Sequence, residues 1–163
     1  MEIKGACYCG AVQFSASTST PYPYMHCYCS FCRKTSGSGG YGINIMAQAD
    51  SLQVKGGDHL GFHYGFEHEP QTDRLIKNEN RRYFCRHCGS PLWAADPRWA
   101  EWIYPFASAI NTPLPAPPEQ VHIMLDFVAP WVTLPTGKQH HHFKRYPDES
   151  ILQWHQRHGL LEE

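Results

Sequence analysis

Seven cysteines constrain this chain more than any other feature of its sequence. They fall in three tight groups: Cys7-Tyr8-Cys9-Gly10, Cys27-Tyr28-Cys29-Ser30-Phe31-Cys32 and Cys85-Arg86-His87-Cys88-Gly89. A thiolate is a soft anionic ligand, and thiols this closely spaced favour a soft divalent metal, zinc first. The odd count argues against full disulfide pairing, and seven divides naturally into four plus three. Zn–S bonds of about 2.3 Å set sulfurs ~3.8 Å apart around a tetrahedron, a span that both CxC and CxxC doublets can bridge. Cys7 and Cys9 with Cys85 and Cys88 can therefore close a four-sulfur site, whose binding energy would be largely folding energy. The plainer alternative is free buried cysteines packing as small hydrophobes.

Cys27, Cys29 and Cys32 sit on one short segment and converge with little chain-ordering cost. They lack a fourth thiol, which leaves three accounts open. Water or a substrate thiol completes the coordination, as in catalytic zinc sites. Alternatively, a histidine or carboxylate closes it as a structural site, or the three form a redox cluster without stable metal.

The 163 residues suit one domain with a real core, spanning 1–163 with its centre at about 3–130 and an extension at 131–163. A formal net charge of -1 offers no basic face for nucleic acid or an anionic membrane. Thiolate ligation of two zinc ions would make the chain more negative still. Met1 to Gly5 runs directly into Cys7 with no apolar signal region, and no apolar run approaches the ~20 residues of a membrane span. A reduced, cytoplasmic protein is expected, because seven thiols in the cytosol read as metal ligands rather than disulfides.

Many short alternating runs predict a mainly β fold with a short C-terminal helix. Cys7 and Cys9 are expected on one strand face, followed by a strand with Val12, Phe14 and Ala16 inward. Tyr24 to Cys29 should return as a strand and Ser30 to Gly37 as a short helix, with Ser30 as its N-cap. Strands are expected at 42–45, 52–54, 60–64, 81–85, 121–128 and 131–134, whereas Phe66 to Asn80 reads as helix or loop. Pro105 to Glu119 holds five prolines and should run extended. Asp148 to His158 reads as a helix capped by Asp148 and stopped by Gly159.

Arg33 and Lys34 follow Cys32 and could attract the carboxylates of an anionic ligand, or simply form a solvated helix face. His26 alternates away from Cys27, so packing is expected of it. His87 is expected at the surface or supporting the four-cysteine site, and His140-His141-His142 in an exposed polar turn. The five tryptophans read as core or lid residues, some available to a substrate pocket.

Taken together, Gly5-x-Cys7-x-Cys9-Gly10-Ala11-Val12, Cys27-x-Cys29-x-x-Cys32-Arg33-Lys34-x-Ser36-Gly37 and Phe84-Cys85-x-x-Cys88-Gly89 resemble the glutathione-dependent formaldehyde-activating family, also called CENP-V/GFA domains. The resemblance covers about residues 3 to 130. It implies a β-tent of several small coiled antiparallel sheets and two zinc ions. One zinc would be structural, on Cys7, Cys9, Cys85 and Cys88. The other would lie at a catalytic site on Cys27, Cys29 and Cys32, where glutathione sulfur can bind. The implied activity is addition of glutathione to formaldehyde, a carbon–sulfur lyase reaction in reverse. Tyr28 departs from the family pattern, which more often has histidine there. Two other functions compete with this one: a non-catalytic zinc module that binds a protein partner, and reductase chemistry through a cysteine pair.

Overall fold

The computed structural model describes residues 1–68, 72 and 74–162. Twelve strands and two α-helices occur among them. In chain order they are β1 (Glu2–Ala6), β2 (Gln13–Ser17), β3 (Met25–Cys27), α1 (Ser30–Ser36), β4 (Gly42–Ile43), β5 (Ala47–Gln48), β6 (Gln53–Lys55), β7 (Leu60–His68), β8 (Leu75–Cys85), β9 (Pro91–Ala95), β10 (Trp102–Pro105), β11 (Gln120–Ile123), β12 (His140–His142) and α2 (Ile151–His158). The molecule is mostly β, built as several small sheets with no barrel. The sheets run β1-β2-β6, β5-β10-β9-β8-β7 and β12-β11-β3-β4.

The first two sheets are antiparallel throughout. The third is mixed, because β11 lies parallel to both β3 and β12. Here the structure departs from the all-antiparallel expectation. Parallel neighbours need long crossovers, and the proline-rich run ahead of β11 together with the segment between β11 and β12 supplies them.

Two apolar cores hold the sheets together. In the larger, Ile3 and Phe14 from the first sheet, with Val12 just ahead of β2, meet Leu92, Trp93 and Ile103 from the second. Phe14 and Trp93 pack edge-to-face at 5.4 Å. The inward alternation of Val12, Phe14 and Ala16 read from the sequence is what buries this face. In the smaller core, Tyr24, Val121 and Ile123 of the third sheet region receive Trp154 of α2. The Tyr24 and Trp154 rings stack at 3.8 Å. Glu119 clamps the same helix by accepting from Trp154 Nε1 at 2.9 Å and Arg157 Nη2 at 2.8 Å. Ser150 caps α2 in a reciprocal capping box with Gln153, displacing the expected Asp148, and Gly159 ends it with φ 65°.

Several local expectations change for physical reasons. The β7–β8 ribbon replaces the ambiguous 66–80 segment, whose residues 69–71 and 73 lie outside the described ones. The ribbon is polar on much of its surface and is held by contacts such as Lys77 Nζ, 3.6 Å from the Tyr64 ring centroid. No apolar period marks such a strand. The strand expected at 121–128 stops at Ile123, where Met124 adopts φ 61°. Residues 131–134 form no strand; Val132 N–H instead bonds to Ala129 in a turn. His140–His142, expected in an exposed turn, is strand β12.

Candidate metal and active site

The two cysteine groups assemble as separate clusters. Within each, one sulfur per residue lies within 4.8 Å of all the others: Cys7, Cys9, Cys85 and Cys88 in one, Cys27, Cys29 and Cys32 in the other.

The four-cysteine cluster is made by two facing turns rather than by a strand. β1 ends at Ala6, and Gly10 N–H closes back on the Cys7 carbonyl at 3.0 Å. Gly89 N–H closes on the Cys85 carbonyl at 2.8 Å. Gly10 and Gly89 end these turns with φ of 75° and 74°, a left-handed conformation that explains the glycine after each doublet. The Cys7 and Cys9 sulfurs are 3.6 Å apart, and those of Cys9 and Cys85 are 3.8 Å apart. These are the edges expected of a tetrahedron of thiolates around zinc. Val12 N–H donates to Cys7 Sγ at 3.2 Å. Burial pushes the Cys7 thiol up, but that N–H and the neighbouring Cys9 and Cys85 thiols outweigh it and bring it down. The Ser90 hydroxyl, 3.2 Å away, and then the Ser90 N–H hold Cys88 down at about 5. Cys9 goes the other way: an Ala11 N–H favours its thiolate, but desolvation and the Cys7, Cys88 and Cys85 thiols outweigh it and push it up to about 12. Four converging sulfurs, two of them held toward thiolate, fit a metal cation.

The three-cysteine cluster grows from one corner of the third sheet. Cys27 ends β3, Cys29 is the N-cap of α1, and Cys32 lies in its first turn. Cys29 takes the capping role expected of Ser30, accepting the Cys32 N–H at 3.2 Å. This bond satisfies an otherwise orphaned helix donor and fixes the CxxC spacing. Gly42 of β4 packs against this corner. A Cβ there would sit 3.0 Å from Ser36 Oγ and 3.3 Å from the Cys32 Cβ, so any larger residue would press on the corner that carries Cys32.

A residue distant in sequence completes the electrostatics. Arg82 of β8 donates from Nη2 to Cys32 Sγ at 3.4 Å and from Nη1 to Thr35 Oγ1 at 3.4 Å. Its guanidinium lies over Phe31 at 4.2 Å, with Phe106 at 5.5 Å. The Cys27 and Cys29 thiols, and then Arg82, hold Cys32 well below the usual thiol range despite its burial. Cys27 is pushed up because it donates to the sulfurs of Cys29 and Cys32 and is itself buried. The metal-free cluster thus concentrates negative charge on Cys32. Arg82 also lines a cleft of about 300 Å³ with Thr35, His63, Phe84 and Phe106.

Arg33 and Lys34 lie on α1, Lys34 exposed and Arg33 half-buried, with Arg33 Nε buried and without a hydrogen-bond partner among the described residues. Sequence reasoning missed Arg82, because no spacing rule ties a strand arginine to a thiol 50 residues away. His26 packs as expected, stacked on Tyr41 at 4.6 Å, and His87 sits beside His59 at 4.1 Å. Tyr28 turns away from the sulfurs, and its hydroxyl pairs with His122 Nδ1 at 3.1 Å. No fourth Cys, His, Asp or Glu joins the three-cysteine cluster among the described residues.

A small-sheet β fold carrying one four-thiol and one three-thiol cluster defines a cysteine-rich protein able to hold two metal ions. The family model described as "Glutathione-dependent formaldehyde-activating enzyme" matches residues 2–124. A curated protein of Halomonas elongata, provisionally named a glutathione-dependent formaldehyde-activating enzyme, is 47% identical over 162 residues, covering 99% of both chains. The crystal structure of a Rhodobacter sphaeroides protein superposes with a TM-score of 0.51 at 24% identity. It covers 69% of this chain and 91% of its own, and so supports the fold alone. The chain belongs to the glutathione-dependent formaldehyde-activating enzyme family. No helix among the described residues is long and apolar enough to cross a membrane.

Proposed function

We propose that the chain is a zinc-dependent, carbon–sulfur lyase-type enzyme that joins glutathione, or a similar thiol, to formaldehyde or another small aldehyde at the three-cysteine site. One observation carries this reading: three sulfurs converge at Cys27, Cys29 and Cys32 with no fourth side-chain ligand among the described residues, and an arginine faces one of them. Three protein ligands plus one open position is the pattern of catalytic rather than structural zinc.

A zinc ion held there would supply Lewis acidity and keep a bound thiol deprotonated at neutral pH. Free thiols titrate near 8.5, so most of the substrate would otherwise remain protonated. In the reaction a C–S bond forms between the thiol sulfur and the aldehyde carbon, and the thiol proton ends on the aldehyde oxygen. The protein's own residues have three tasks. Arg82 disperses the negative charge that accumulates on Cys32. With Arg33 and Lys34, it presents cationic groups to the carboxylates of an anionic tripeptide. Phe31 and Phe106 pack against the Arg82 guanidinium and help hold its plane.

Cys7, Cys9, Cys85 and Cys88 are assigned to the structural zinc. The whole chain acts as one domain, in a reducing cytoplasm where the thiols stay available. The test combines metal analysis, sulfur coordination by X-ray absorption, and calorimetry with glutathione. Two zinc ions per chain are expected, one with four sulfurs and one with three sulfurs plus a lighter atom. Glutathione should add a sulfur to the second ion. If glutathione binds wild type and Cys29→Ser equally, the site assignment fails.

A further inference from the structure

The segment that delivers the metal-site sulfurs has a second face. Cys27 and Cys29 join the cysteine cluster, whereas His26 and Tyr28 line a cleft of about 450 Å³. One side of the cleft is sheet: His26 of β3 and Gln120 of β11, with Tyr28 and Tyr41 beside them. The other side is residues 131–135, with Trp131, Val132 and Thr133. Those residues lie beyond the stretch that the family model matches, which ends at 124.

Beneath the cleft lies a layer of imidazoles. His26, His122 and His142 sit in register across β3, β11 and β12. His122 bonds the Tyr28 hydroxyl with one nitrogen and His140 with the other, each at 3.1 Å. His142 Nε2 donates to the Pro135 carbonyl at 3.0 Å, tying the layer to the outer wall. His26 is the exception. It is only 8% exposed and lines the cleft, yet its ring nitrogens have no hydrogen-bond partner among the described residues. Neither nitrogen is among the fully buried, unpartnered side-chain atoms, so the ring opens to the cleft and can bond water or a ligand that enters.

The lining also restricts that ligand. It contains tyrosine, tryptophan and imidazole rings with amide and hydroxyl groups, and no Lys, Arg, Asp or Glu. Aromatic faces favour a flat π-system, and a charged molecule would lose hydration here without gaining a counter-ion. Glutathione, with its carboxylates, is therefore a poor fit, in contrast to the arginine-lined cleft beside Cys32.

We propose that this cleft is a second binding site, for a small uncharged aromatic molecule whose hydroxyl or carbonyl oxygen pairs with His26. The ring would lie between Tyr41 and Trp131. Trp131, 60% exposed, would close over it from the mouth. This site is independent of the thiol chemistry proposed above and stands or falls separately from it.

The zinc-loaded protein can be titrated with phenol and with benzoate at neutral pH by amide NMR. Phenol stays uncharged there, as tyrosine does, and benzoate is its charged counterpart. Saturable phenol shifts are expected at Tyr41, Gln120 and Val132, with benzoate at least about tenfold weaker. Trp131→Ala should weaken phenol about fivefold or more, and Thr133→Arg should reverse the preference toward benzoate. Both positions are exposed, and metal content and the amide spectrum report that each variant is folded. The proposal is overturned if phenol leaves those resonances unmoved, which would mean that the cleft holds water alone. It is equally overturned if the shifts cluster around Arg82, if Trp131→Ala binds phenol as wild type does, or if Thr133→Arg gains no benzoate affinity.

Discussion

The two cysteine clusters use the same ligand chemistry and are built in opposite ways. The four-sulfur cluster joins two turns that lie far apart in the chain, Cys7–Gly10 and Cys85–Gly89, and its sulfurs satisfy one another. The three-sulfur cluster comes from one corner, β3 into α1, and takes its outside partner from Arg82 of β8. A cluster that spans the chain is suited to holding it together. A cluster built locally can give up a ligand position without loosening the fold. On the proposed reading, a metal at the first site would serve stability and one at the second would serve chemistry.

The largest expected effect separates the two directly. Structural zinc contributes roughly 10–16 kcal/mol in small metal-folded domains, more than most domains have to spare. Cys85→Ser should therefore abolish cooperative unfolding in a thermal melt and release both metals. Cys29→Ser should keep a folded amide spectrum with one metal lost and glutathione binding gone. A cooperative, wild-type-like melt for Cys85→Ser would erase the distinction.

The next effect tests Arg82. Arg82→Met keeps the packing against Phe31 and Phe106 but removes the charge. Glutathione affinity should fall about tenfold or more, given ~1.5–3 kcal/mol for a hydrogen bond to a charged group, with both metals retained. Arg82→Lys should recover part of it, because lysine restores the charge without the planar fork. Equal affinity in all three proteins would remove Arg82 from the site.

A smaller effect is expected at Gly42. The alanine methyl meets Ser36 and Cys32, so Gly42→Ala should destabilise by about 1–3 kcal/mol in denaturant titration, as overpacking does. The four-sulfur site should keep its metal.

The smallest effect is a pH dependence carried by groups that belong to neither cluster. Burial, and then the neighbouring His26, His142, His140 and His141, lower His122 to about 4. An unfolded histidine titrates near 6.5. Between about 6.5 and 4 the unfolded chain therefore binds the extra proton, so stability falls as pH drops through that window. Glu119 acts lower on the scale. Burial opposes its ionisation, but Arg157, His158 and Trp154 hold it at about 2. Its stabilisation is complete above the unfolded carboxylate value near 4.3 and is lost toward pH 2. Thermal melts of His122→Gln should lose the upper part of this slope, and those of Glu119→Gln the lower.

How far the sequence carried the argument depended on whether the relevant signal was local. The cysteine doublets, their glycines, the Val12–Phe14–Ala16 face and the Gly159 stop were all legible, because each is set by spacing or backbone preference within a few residues. The inner ends of the β7–β8 ribbon, at 60–64 and 81–85, were legible too; its outer part within 66–80 was not, since its polar residues are paired across strands rather than patterned along one. β12 was misjudged for a related reason. A run of three histidines looks like a solvated turn until β11 supplies a parallel partner.

The sequence by itself determined that thiols would gather as four and three, because ligand type and spacing are written in the chain. Only the tertiary structure decided what surrounds the three. It brought Arg82 to Cys32, gave Tyr28 a histidine partner from β11, and raised a wall from residues 131–135 over the reverse face of the same segment. Charge, partner and cavity at a site depend on which distant strands become neighbours, and that pairing is fixed by burial of two cores rather than by any local run of residues.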